Sequence, residues 1–86
     1  MEVKELGHLV LYVRDLEVSA AFYRDVLGFR PITPTIPGMR AAAFSSGRTH
    51  HELLLIEVGA DASPVPRGRH LGLYHFGLKV GDSDDE

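Results

Sequence analysis

The chain has five histidines and no cysteine. Any metal site must therefore be built from imidazoles and carboxylates, and no thiol nucleophile is available. Two of the histidines occupy matching places in a repeat. Sliding the chain by 67 residues sets Leu6 to Asp15 over Leu73 to Asp82, pairing Leu6 with Leu73, His8 with His75, Leu11 with Leu78, Val13 with Val80 and Asp15 with Asp82. Residues at equivalent positions of two repeats are related by a pseudo-twofold axis, so the two imidazoles can aim at one point, which is what a metal requires. Each histidine taken alone also reads as a hydrogen-bonded core residue, and chance likeness between two apolar strands would produce the same match.

A second group lies between them. With side chains alternating along a strand, His51, Leu53, Leu55 and Glu57 share one face, and His50, Glu52, Leu54, Ile56 and Val58 the other. Glu57 follows a run of aliphatic residues, where a carboxylate must be paired, protonated or bound to a cation. A metal would satisfy it, as would an arginine at a frayed strand end. His51 and Glu57 are separated by about 20 Å at ~3.3 Å per residue, so both cannot ligate one ion. The His50-His51 pair also reads as a polar entrance to a strand. No phosphate-cradling glycine loop, Gly-x-Ser-x-Gly elbow or His-Glu-x-x-His helix is present.

The elements that would position these groups are legible in the pattern. Lys4 to Val13 reads as a strand buried on both faces. Leu16, Ala20, Tyr23 and Leu27 recur at helical spacing, with Asp15 placed as N-cap, Gly28 as the left-handed stop and Phe29 folding back. Phe29 to Gly38 carries three prolines and suits an edge strand running into a loop. Met39 to Ser45 and His50 to Val58 follow as strands, and Leu73 to Val80 as a fifth strand like the first. The expected class is α+β. Residues 1–58 form a strand-helix-strand-strand-strand (βαβββ) module, 59–70 a connecting loop, and 71–86 the first strand of a second, incomplete module.

Eighty-six residues suffice for one domain or part of one. Hydrophobic content of 44% with 24% charged residues is ordinary globular composition, and a net charge of −3 speaks against nucleic acid as a partner. The start has no signal-like region and no apolar run is long enough to span a membrane, which predicts a cytoplasmic protein. A repeat whose second copy lacks its helix leaves an open sheet edge and an uncovered apolar face. Both predict a homodimer, with strand exchange as one form of it.

Several segments resemble the vicinal oxygen chelate superfamily of glyoxalase I, extradiol dioxygenases and bleomycin-resistance proteins. They are Leu6 to Glu17, Ala21-Phe22-Tyr23-Arg24-Asp25-Val26-Leu27-Gly28-Phe29, His50-His51-Glu52-Leu53 and Gly72 to Phe76. The resemblance implies two paired βαβββ modules cupped around a divalent metal. It implies His8 and His75 as metal ligands and Glu57 as the carboxylate ligand of the glyoxalase branch. His51 would instead be the acid/base histidine of the extradiol branch, beside dioxygen and an aromatic diol. A further glutamate ligand of the family, late in the second module, has no counterpart here. The leading expectation is thus a metal-dependent enzyme of the extradiol dioxygenase kind, or a piece of one, with Fe(II) favoured over Zn(II), Ni(II) or Mn(II). A glyoxalase-type or lyase-type zinc or nickel enzyme is one alternative. The other is a metal-free, drug- or metabolite-sequestering protein of the bleomycin-resistance type.

Overall fold

The computed structural model describes residues 1–32, 38–48, 51–59 and 61–82. The proline loop at 33–37, His50 and the acidic close at 83–86 lie outside the described residues. Five elements follow one another. They are β1 (Leu9–Val13), helix α1 (Leu16–Ala21) running on as a π-helical turn (Phe22–Val26), β2 (Arg30–Ile32), β3 (Ala41–Ser45) and β4 (Leu53–Glu57). The four strands form one sheet in the order β1-β4-β3-β2. β4 is parallel to β1 with Leu9 opposite Leu53 and Val13 opposite Glu57, and antiparallel to β3 with Ala41 opposite Ile56. β2 pairs antiparallel with the other side of β3.

The helix begins and ends as its residues dictate. The Asp15 carboxylate accepts the Val18 N–H at 3.2 Å, satisfying one of the free amides of the first turn. At the far end Leu27 N–H reaches the Phe22 carbonyl five residues back, and Gly28, at φ 79°, donates to Arg24 O at 3.2 Å. The glycine supplies a left-handed turn that other residues enter only with strain. It throws Phe29 back onto the core, where its ring meets Tyr23 with centroids 6.2 Å apart.

The core is small. Leu16, Phe44, Leu53 and Leu55 form its buried centre, with Leu11, Val13, Ala20, Tyr23, Phe29 and Ala42 packed around it. Leu9, Leu11 and Val13 face this core, whereas Val10 and Tyr12 stand 44% and 75% exposed. β1 is therefore covered on one face only, because the single helix covers one side of the sheet. The strand is also shorter than its apolar pattern: Lys4 to His8 makes no ladder. Residues 73–80 differ more. Among the described residues they carry no strand and are exposed throughout. A strand-like pattern forms a strand only when an edge receives it.

Candidate functional site

Parallel pairing of β1 and β4 gives the sheet two different rims, because both strands start on one side and end on the other. The starting rim collects imidazoles. Leu9 N–H donates to Glu52 O at 2.8 Å, locking the starts of the two strands together. In that register the rings of His8 and His51 stand 4.9 Å apart, tilted by 39°. With metal–nitrogen bonds of about 2.1 Å, two imidazoles around one ion place their ring centres roughly 4.5 to 5.3 Å apart. An ion held by His8 would therefore lie beside His51. A groove of about 220 Å³ beside them is lined by Leu6, Gly7, Leu9, Tyr23, Phe29, Leu53 and Phe76 to Leu78, with His8, Arg48 and Glu52 as its polar members. Glu52 is held from the turn after β3, accepting the Ser46 N–H at 3.3 Å and the Ser46 hydroxyl.

The finishing rim collects carboxylates. Asp15, Glu17 and Glu57 bring oxygens within 4.8 Å of one another. Their partners explain the gathering. Glu57 Oε2 accepts the Leu16 N–H at 2.9 Å, and the Arg40 guanidinium bonds both oxygens of Glu57 at 3.2 Å. The same guanidinium reaches Glu17 at 2.8 and 2.9 Å. Arg40, with the Leu16 amide helping, holds the Glu57 carboxyl below the ordinary carboxylate range, and Arg40 does the same for Glu17. The shared guanidinium is held correspondingly higher than an ordinary arginine. Glu57 thus ties the start of α1 and the start of β3 to the end of β4.

Of the four residues singled out from sequence, His8 and His51 come together. Glu57 lies at the opposite rim, engaged by Arg40 and a backbone amide instead of being free for an ion. His75 packs its ring edge-on against Tyr74 at 4.7 Å. The rings of His8 and His75 make no contact among the described residues; His8 stands against His51 and His75 against Tyr74. The arginine that pairs with Glu57 at the strand end is Arg40, an identity set by the antiparallel β3–β4 pairing, which places Arg40 O against Glu57 N–H at 2.9 Å.

Comparison with known proteins agrees with the four-stranded topology. A family model described as the Glyoxalase/Bleomycin resistance protein/Dioxygenase superfamily matches residues 5–85. A catechol-2,3-dioxygenase of Bacillus subtilis (strain 168) is 45% identical over 62 residues, covering 71% of this chain and 21% of that protein. An iron-dependent extradiol dioxygenase of Rhodococcus jostii (strain RHA1) is 35% identical over 92 residues, covering 93% of this chain and 28% of that protein. The chain thus spans between a fifth and three-tenths of the length of these relatives. No solved structure matches it. Among the described residues, no helix is long and apolar enough to cross a membrane.

Proposed function

The chain belongs to the Glyoxalase/Bleomycin resistance protein/Dioxygenase superfamily, and on that footing we propose that it forms one module of an extradiol-type site acting on a small aromatic diol. The observation that carries the reading is the His8–His51 pair beside an apolar, aromatic-lined groove. His8 is the metal ligand, with His75 of the 71–80 segment as the second imidazole once that segment is paired. His51 is the proton-transfer group. The ion, Fe(II) by analogy with the Rhodococcus relative, would hold a diol's two oxygens and dioxygen and let charge pass between them.

This chain's own residues do the rest. The rings of Tyr23, Phe29 and Phe76 border the groove and offer flat apolar surface to an aromatic ring. His51 accepts the phenolic proton as the diol binds beside His8. Glu57 holds helix to sheet. Both its oxygens are engaged by Arg40, which favours a structural role for it over that of a glyoxalase-type ligand.

The test uses purified chain loaded anaerobically with Fe(II) and then desalted. Wild type and His51→Ala are expected to retain iron, and His8→Ala to lose most of it. Oxygen uptake on adding catechol is expected from wild type and not from His51→Ala. Equal iron retention by His8→Ala would overturn the assignment.

A further inference from the structure

We propose that Arg48 is a positioning residue for the candidate metal site: its guanidinium clasps the backbone ahead of β1 and thereby fixes where the His8 imidazole stands. The proposal rests on the reading of His8 as a metal ligand.

His8 lies just outside regular structure. β1 begins at Leu9, and residues 1–8 are exposed and carry no strand pairing. A stretch without a ladder sits at the low end of local stability, whereas a ligand has to be held to within about 0.5 Å. On one side of His8 the hold is the Leu9 N–H, which donates to Glu52 O at 2.8 Å. On the other side the hold is Arg48. Its Nη1 meets Glu5 Oε2 at 2.5 Å, and its Nη2 donates to the Leu6 carbonyl at 3.2 Å, across 42 residues of sequence. The segment's other ion pair among the described residues, Lys4 with Glu2 at 3.2 Å, joins it only to itself.

Arg48, His51 and Glu52 all belong to the connection between β3 and β4. Both anchors of His8 are therefore mounted on the piece of chain that carries its neighbouring ring, 4.9 Å away. The rigid fork of a guanidinium can take a carboxylate and a carbonyl together, which the single ammonium of a lysine does less well. The link between the clasp and His8 is Gly7, the residue type with the most backbone freedom. Its φ is not left-handed, and a Cβ there would meet nothing within 4 Å, so the site has room for alanine. With a slack link before His8, the grip on Leu6 decides how far the imidazole can wander.

The clasp differs from two simpler roles for Arg48. The Arg48 and Glu5 side chains are 44% and 57% exposed, and exposed pairs add little to global stability. Arg48 also borders the groove beside His8, where its positive charge repels a bound cation. On charge alone, Arg48→Met would tighten metal binding. The clasp predicts the opposite sign.

The experiment has a metal-free arm and a metal arm, both on the whole chain. Without metal, wild type is expected to show a nuclear Overhauser cross-peak between the His8 and His51 rings, and Arg48→Met to lose most of it. Adding Gly7→Ala to Arg48→Met should recover part of the cross-peak. With Fe(II), measured anaerobically by competition against a chromophoric chelator, Arg48→Met should bind at least fivefold more weakly and Arg48→Lys by an intermediate factor. Melting temperatures should stay within a few degrees of wild type. Glu5→Gln, which releases the grip from the other side, replaces Arg48→Met if that variant loses its sheet signal. An intact cross-peak in Arg48→Met overturns the clasp, as does unchanged or tighter Fe(II) binding where His8→Ala loses the ion. If His8→Ala keeps the ion, the reading of His8 as a ligand falls, and the metal-free cross-peak alone decides the clasp.

Discussion

At the residue scale, Glu57 and His51 show how strongly neighbours decide what a side chain does. One was a candidate metal ligand and the other a candidate acid/base, and one sits with Arg40 and an amide, the other with a second imidazole. Glu57 and Glu17 have their carboxyls held below the usual value of 4.5. A carboxylate depressed in the folded state stabilises the fold above its unfolded pKa and loses that contribution as pH falls through the folded one. Stability should accordingly be level from pH 5 to 7 and decline below about pH 4.5. In Arg40→Met the largest cause of the depression is gone and only the backbone hydrogen bonds remain, so melting curves of the two proteins should differ most near neutrality and approach each other toward pH 3. A constant gap across that range would show that Arg40 stabilises through its aliphatic stem. At the other rim, His8→Ala should leave the melting temperature within a few degrees of wild type, because the ring is exposed and surface substitutions usually change stability by less than about 0.5 kcal/mol.

At the element scale, the helix was legible almost to the residue. Asp15, Gly28 and Phe29 act as cap, stop and return because each uses a local rule that needs no knowledge of the rest of the chain. Asp15→Ala should cost about 0.5–2 kcal/mol, read by urea denaturation. The buried strand residues were legible too: Leu55 is fully enclosed, and Leu55→Ala should cost about 2–5 kcal/mol. Strand ends and neighbours were not. Apolar alternation from Lys4 onward runs past the point where β4 stops supplying partners, so β1 begins only at Leu9. Nor does a sequence state that β1 lies beside β4, the strand furthest from it along the chain. That one adjacency, set by the tertiary fold, puts His8 beside His51 and takes Glu57 to the other rim.

At the scale of the whole molecule, the repeat pattern and the exposed surface say the same thing. A core centred on four buried side chains supports one sheet and one helix and leaves an edge, a sheet face and a ten-residue apolar stretch in water. Folding and assembly should then be coupled. The melting temperature is expected to rise with protein concentration, as for any folded state stabilised by mass action. A melting temperature constant over a hundredfold range would mean the fold is complete in one copy. The family was legible from Leu6 to Phe76 because its motifs are local, whereas the ligand arrangement was not, because the distance between His8 and His75 is set by tertiary placement that no local rule states.

The wide turn from Phe22 to Val26 ties the helix to its exit by phase. An ordinary helix advances 100° per residue, whereas the five-residue hydrogen-bond step here absorbs one residue more before Gly28. Deleting a single residue such as Arg24 would let this turn tighten to an ordinary helical one and leave Gly28 and Phe29 near their present phase, because the wide turn spends one residue more on about the same rotation. Inserting a residue there finds no such slack and would swing the left-handed glycine by about 100°, carrying Phe29 out of contact with Tyr23. The helix exit therefore tolerates the loss of one residue and not the gain of one.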